Sequence, residues 1–332
     1  AMYLQIICKN ETTSPTFTTM KRNVSMTLAG LVIAALVFLC GCKPPAAEPA
    51  PRQGKLKVVT TFFPVYCFTA NVAGDLADVE NLLPPGQGPH GYTFVPSNAR
   101  TVSSAQLIVM NGAGLDDWLK TSLRNLASKH KPNILEMTAD MADRMIEIVH
   151  DDHGHDHGHH HHGAHDPHVW LDPQMATIAV DSICTALQKA DPKNAEGYKR
   201  NAEAYKERLK TLDAEIAKNL ENIKKARFVT FHNAFPYFIR RYGLTQPLVV
   251  EDTPDVSPSP KQQQKLYESI RESKARVLFT EPQFVAKLAD RISKDLNITL
   301  AELDPLETGI LEPNAYEEAM RKNVRTLQKH LK

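Results

Sequence analysis

The strongest constraint on the fold is a single run from Asn194 to Lys225 (NAEGYKRNAEAYKERLKTLDAEIAKNLENIKK), rich in Ala, Glu, Lys and Leu. Its apolar positions, Tyr198, Ala202, Tyr205, Leu209, Leu212, Ile216 and Leu220, recur every three or four residues. That spacing places them in one stripe on a helix. A helix over 194–225 exceeds the usual globular range of roughly 8–20 residues, so it is expected to connect two bodies. On both sides of it the pattern changes to short apolar runs separated by helical stretches. Before it, strands are expected at 56–61 (LKVVTT), 79–83 (VENLL) and 107–112 (LIVMNG), with helical character from Pro64 and over 116–129. Asp172-Pro173 supplies a capping carboxylate and a helix-starting proline for a helix over 173–190. After the long run, strands are expected at 228–232 (FVTFH), 247–251 (PLVVE), 277–281 (VLFTE) and 298–303 (ITLAEL), with helices over 259–273 and 283–296. Strands alternating with helices imply parallel βαβ units. The expected fold is therefore α/β. Two lobes, 56–193 and 226–332, each hold a central, mostly parallel sheet flanked by helices, and the 194–225 helix joins them. Ligands of such folds sit at strand carboxyl ends or between domains.

The N-terminal region reads as an address rather than as fold. Residues 1–19 lie upstream of Met20 and are set apart. Lys21-Arg22 precedes an uncharged run from Met26 to Cys40, followed by small residues. This is the order of an export signal, and the run falls short of the about 20 residues that span a bilayer. Leu39-Cys40-Gly41-Cys42 resembles a bacterial lipobox. That implies a signal segment over 20–41, cleavage before Cys42, and a lipid on its thiol; an uncleaved anchor helix is the alternative. Residues 42–55 form a Pro/Ala-rich tether. Location outside the cytoplasm, with attachment to a membrane, follows. No two of the five cysteines have CxxC spacing, which argues against a thiolate zinc site. Cys67 and Cys184 remain in the mature chain, and a disulfide and two separate buried thiols are both compatible with the sequence. Lys+Arg (39) and Asp+Glu (38) nearly balance, so no nucleic-acid partner is indicated.

Histidine is the informative excess. Eight lie close together, at His153, His155, His157, His159, His160, His161, His162 and His165, interleaved with Gly and Asp in a loop over 150–166. Neutral imidazole is a good ligand for zinc. A Gly/Asp-rich polyhistidine loop suits accessory capture of a divalent ion, with little geometric selectivity. His150 extends this tract, whereas His130 and His330 sit in polar stretches and read as surface residues. Three others stand at the ends of regular elements: His90 in the Pro/Gly loop after the second strand, His168 just before the 173–190 helix, and His232 closing FVTFH. Asp304 follows the last strand in LAELDPL. It is a candidate fourth donor, with a helix cap before Pro305 as its alternative role. Three imidazoles and one carboxylate suit tetrahedral zinc at about 2 Å, whereas manganese favours harder, oxygen-rich sets.

The ordered motifs GPHGYTFVPS around His90, HVWLDP around His168, FVTFHNAFPYF around His232, FTEPQF at Glu281 and ELDPL around Asp304 resemble those of a known family. It is the metal-binding cluster of ABC-transporter solute-binding proteins, most nearly the zinc-uptake (ZnuA) type. The resemblance runs from about residue 56 to the C-terminus. Glu251 and Glu281 are candidate acceptors behind the imidazoles, and the resemblance itself implies two α/β lobes, a rigid connecting helix and a metal held between the lobes by His90, His168, His232 and Asp304. It further implies a monomer that captures Zn2+ outside the cytoplasm and passes it to an inner-membrane permease with its cytoplasmic ATPase. The zinc is then cargo and the protein is not an enzyme. A manganese-binding member of the family and a metal-binding surface adhesin lipoprotein are the alternatives. A zinc hydrolase is disfavoured, because the sequence has no HExxH and no candidate nucleophile paired with a base.

Overall fold

The computed structural model describes residues 54–125, 132–148, 165–251, 259–282 and 287–332. The signal segment, Cys42, His130, His150 and the tract histidines from His153 to His162 lie outside the described residues.

The first lobe contains β1 (Leu56–Thr60), α1 (Phe63–Ala73), β2 (Ala77–Asn81), α2 (Pro96–Ser104), β3 (Leu107–Met110), α3 (Asp117–Asn125) and β4 (Asn133–Glu136). All strand pairs are parallel, in the order β2-β1-β3-β4. Helices α4 (Pro173–Ala190) and α5 (Ala195–Leu220) follow. The second lobe contains β5 (Val229–His232), α6 (Pro236–Tyr242), β6 (Leu248–Glu251), α7 (Pro260–Ser273), β7 (Val277–Thr280), α8 (Lys287–Leu296), β8 (Thr299–Glu302) and α9 (Ala315–Leu331). Its sheet is again all parallel, in the order β6-β5-β7-β8. In such an order β1 and β3, and likewise β5 and β7, flank the point where the winding reverses. A crevice opens there beyond the strand carboxyl ends.

The inner strands β1, β3, β5 and β7 form where side chains can be buried on both faces, which is why they read as nearly continuous apolar runs. In β1, Leu56 and Val58 enter the large central core, while Val59 points to the outer layer with Val102 and Leu119. In β7, Val277 and Phe279 face that same central core, while Leu278 packs outward with Ile270 and Ile292. The period of two thus divides each sheet between a core shared by both lobes and a satellite core of its own.

Helix α5 buries Tyr198, Ala202, Tyr205, Leu209, Leu212, Ile216 and Leu220, the whole expected stripe. A short 3-10 turn over Glu221–Ile223 ends the run. Helix α4 opens as its cap residues dictate: Gln174 N–H donates to Asp172 Oδ1 at 2.8 Å, and Pro173 occupies the first turn. Cys67 and Cys184 are both buried and free, and the Cys67 thiol donates to the Glu312 carbonyl at 3.4 Å.

Candidate metal centre

Four side chains converge from four separate segments. His232 is the last residue of β5, at the carboxyl end of its sheet, opposite Glu251 of β6. One strand over, Glu281 directly follows β7. His232 Nδ1 and Glu281 Oε1 lie 2.9 Å apart, both buried. A proton on Nδ1 donated to that carboxylate leaves the Nε2 lone pair for the crevice. His168 stands just before a 3-10 turn over Val169–Leu171 that leads into α4. Its Nδ1 lies 2.9 Å from Asp166 Oδ1, which also accepts the His168 backbone N–H at 2.9 Å. The same logic turns the Nε2 of His168 inward. His90 is carried by the loop after β2, where Gly86 and Gly91 adopt φ of +82° and +65°. Residues with a Cβ avoid that region, so the glycines allow the loop to fold back over the site. Within it Gly88 comes so close to Glu307 that a Cβ would lie 2.8 Å from Oε2.

The fourth side chain is Glu307, two per cent exposed, in the segment after β8. One donor atom each from His90, His168, His232 and Glu307 lie within 4.8 Å of one another. His90 Nε2 is 3.3 Å from His168 Nε2 and 3.2 Å from Glu307 Oε1, and His168 Nε2 is 3.7 Å from the same oxygen. Tetrahedral zinc with bonds of about 2.0–2.1 Å places its donors about 3.3 Å apart. The three ring centroids are 5.0–5.4 Å apart. Glu307 Oε1 is fully buried, and its polar neighbours are the two ring nitrogens of His90 and His168, at distances and angles short of a good hydrogen bond. A buried carboxylate so weakly satisfied is costly, and a cation among these four atoms would satisfy it.

Electrostatics distinguish Glu307, His168, His232 and the Glu281 behind them. Burial pushes the Glu307 carboxyl up, but the adjacent His90 and His168 outweigh it and hold the pKa well below the usual carboxylate range. Burial opposes a charge on His168, yet Asp166 and then Glu307 override it and raise its pKa to about 9. His232 goes the other way: burial, then repulsion from His168, drive its pKa well below the ordinary value. Glu281 is raised well above its ordinary value by burial and by the neighbouring Glu307.

The expected donors His90, His168 and His232 are brought together. Asp304 is not in the group, and a Glu307 oxygen is. The Asp304 carboxylate instead accepts the Leu306 N–H at 2.8 Å, closing a tight turn. Burial lifts its pKa to about 6, with that N–H offsetting part of the rise. The expected acceptor Glu281 contacts His232, while Glu251 is buried opposite it on β6. Asp166, behind His168, was not anticipated, although its place two residues before a candidate histidine was a usable signal. Of the tract, His165 is described: it bridges Glu147, and Asp166 N–H donates to the Ile146 carbonyl at 2.8 Å.

Two lobes, each with a parallel sheet, joined along one long helix are the architecture of metal-binding solute-binding proteins. Residues 58–330 match the family described as zinc-uptake complex component A, periplasmic (ZnuA), and the chain belongs to that family. It is 33% identical over 314 residues to the zinc-binding lipoprotein AdcA of Streptococcus pneumoniae, covering 92% of this chain and 60% of that protein. The chain therefore spans about three-fifths of the length of that relative. It is 30% identical to the high-affinity zinc uptake system protein ZnuA of Bacillus subtilis, covering 91% of this chain and 97% of that one. Among solved structures, the solute-binding protein FpvC of Pseudomonas aeruginosa in complex with Ni2+ superposes with a TM-score of 0.71 at 27% identity, covering 84% of this chain and 97% of that one. The family is one of binding proteins rather than enzymes.

Proposed function

We propose that this protein captures Zn2+ outside the cytoplasm and delivers it to an ABC-type importer, with His90, His168, His232 and Glu307 as the donors. The observation that carries this reading is the convergence of three imidazole nitrogens and one carboxylate oxygen within 4.8 Å, three of the four residues being buried. A nitrogen-rich, four-donor set suits zinc; manganese would be better served by more oxygen. Two relatives named for zinc binding or zinc uptake support the same cargo. FpvC has been seen with Ni2+ on the same fold, so the donor set rather than the architecture carries the choice of metal. The histidines from His153 to His165 serve as an accessory collector that raises the local zinc concentration. A lipid on Cys42 tethers the monomer to a membrane, and a permease with its ATPase receives the ion.

Calorimetric titration of the chelator-stripped protein tests the reading. Zinc should bind tightly and outcompete manganese. His90→Ala, His232→Ala and Glu307→Ala should each weaken binding by at least about tenfold, since each removes a metal bond. Deleting residues 151–165 should slow capture and leave the tight site intact. Full-strength binding by the histidine variants would overturn the donor assignment, and loss of the tight site on deletion would make the tract the primary binder.

A further inference from the structure

The Glu307 donor has to be presented by a turn, and that turn is held by four hydrogen bonds. Asn323 of α9, three per cent exposed, pairs its side-chain amide with the Asp304 backbone in both directions. Asp304 N–H donates to Asn323 Oδ1 at 2.9 Å, and Asn323 Nδ2 donates to the Asp304 carbonyl at 2.6 Å. The two backbone partners fix the orientation of the amide. Asp304 Oδ1 accepts the Leu306 N–H at 2.8 Å, and the Trp170 indole N–H donates to the Pro305 carbonyl at 2.8 Å. Between these ties Leu306 is fully buried with φ of +59°. Leucine is a poor occupant of the left-handed region, and such a conformation persists where the surroundings over-determine it. Its effect here is to turn the next residue, Glu307, back toward the three imidazoles.

Resting on the reading of Glu307 as a donor, we propose that Asp304 and Asn323 are positioning residues for it. Neither touches the cation; together they hold the turn in the one conformation that delivers the carboxylate. Asp304 acts through its side-chain oxygen as a hydrogen-bond acceptor, and its negative charge is not what the turn requires. Asn323 acts as a two-point grip that anchors the turn to α9. Trp170 lies two residues from His168, so its bond to Pro305 fixes the turn relative to a second donor as well.

Zinc affinity by chelator competition and the visible spectrum of the Co2+-loaded protein test this. Asp304→Asn keeps the acceptor oxygen and should bind zinc within about twofold of wild type. Asp304→Ala removes the acceptor and should weaken binding about tenfold, in the range seen when groups behind metal ligands are lost. Asn323→Asp keeps one bond and sets an oxygen against the Asp304 carbonyl, so it too should weaken binding about tenfold and alter the Co2+ spectrum. In a Glu307→Gln background, Asn323→Asp should add less than about a twofold further loss, because coupled residues are not additive. Equal damage from Asp304→Asn and Asp304→Ala would overturn the proposal by giving the charge itself to the metal. Wild-type affinity and spectrum in Asn323→Asp, or a full additive loss on top of Glu307→Gln, would overturn it too. If Glu307→Gln alone bound zinc like wild type, the donor assignment would fail separately.

Discussion

In the proposed centre, one hydrogen bond sets the form in which His168 would meet a cation. Asp166 lies 2.9 Å from Nδ1 and Glu307 on the other side, and together they raise the imidazole pKa to about 9, which favours the protonated ring at neutral pH before metal binds. A bound metal needs the neutral ring, so binding must expel that proton. At pH 7.5, titration in two buffers of different ionisation enthalpy should report release of about one proton per zinc, and Asp166→Asn should reduce it; heats independent of buffer would contradict this. The sign for stability follows from the same shift. Because the folded pKa is raised, the stabilisation is complete below the unfolded value of about 6.5 and is lost as pH rises through about 9. At this scale the three clustered histidines were legible as candidates because each follows or approaches a regular element: His232 closes β5, His168 precedes a 3-10 turn, and His90 lies in the loop after β2. Glu307 was not legible. Choosing between Asp304 and Glu307 depends on a left-handed residue between them, and that residue is Leu306, which local preference places elsewhere.

Legibility at the scale of elements followed burial. Helices α4 and α5 were readable because cap and stripe were both in the sequence, and the α5 stripe is buried throughout. Strand β4 was not singled out: it is a four-residue edge strand, NILE, with Ile134 exposed, so no alternation marks it. Helix α2 (PSNARTVSS) is polar, and only Asn98 and Val102 are buried. It begins at Pro96, where the buried Asn98 side chain accepts both the Val95 N–H and the Tyr92 hydroxyl at 2.9 Å, and the polar run that follows carries no apolar stripe to mark it. Helix α5 is the spine, so its interior should govern stability while leaving the site alone. Leu209 is fully buried on it. Leu209→Ala should cost about 2–5 kcal/mol, through lost transfer energy and the cavity left behind. Urea unfolding in the presence of chelator measures this; a loss below about 0.5 kcal/mol would mean that the helix is not the spine.

At the scale of the molecule, repetition makes the site. Both sheets have the same strand order, so each lobe opens a crevice at its carboxyl edge, and donors from both lobes meet there. The lobes are also joined away from the donors. One continuous core runs from Val58 of β1 through α4 and α5 to Phe279 and Leu327 of the second lobe. Polar ties cross the same boundary: Trp170 to the Pro305 carbonyl, the Tyr316 hydroxyl to the Trp170 carbonyl at 2.6 Å, and the Tyr237 hydroxyl to the Asp166 carbonyl at 2.7 Å. A hinge that exposed about 400 Å2 of that core would cost about 10 kcal/mol, comparable to the whole stability of an ordinary domain. Opening wide is therefore the expensive route to an accessible site. Moving the His90 loop is the cheaper one: it is rich in Gly and Pro, and His90 is the most exposed of the four donors, its side chain 15% accessible. Zinc loading should thus leave the radius of gyration unchanged in solution scattering, while amide exchange across residues 86–95 slows strongly. A clear contraction on loading, with uniform protection of both lobes, would show instead that the shared core parts and that the lobes close as rigid bodies.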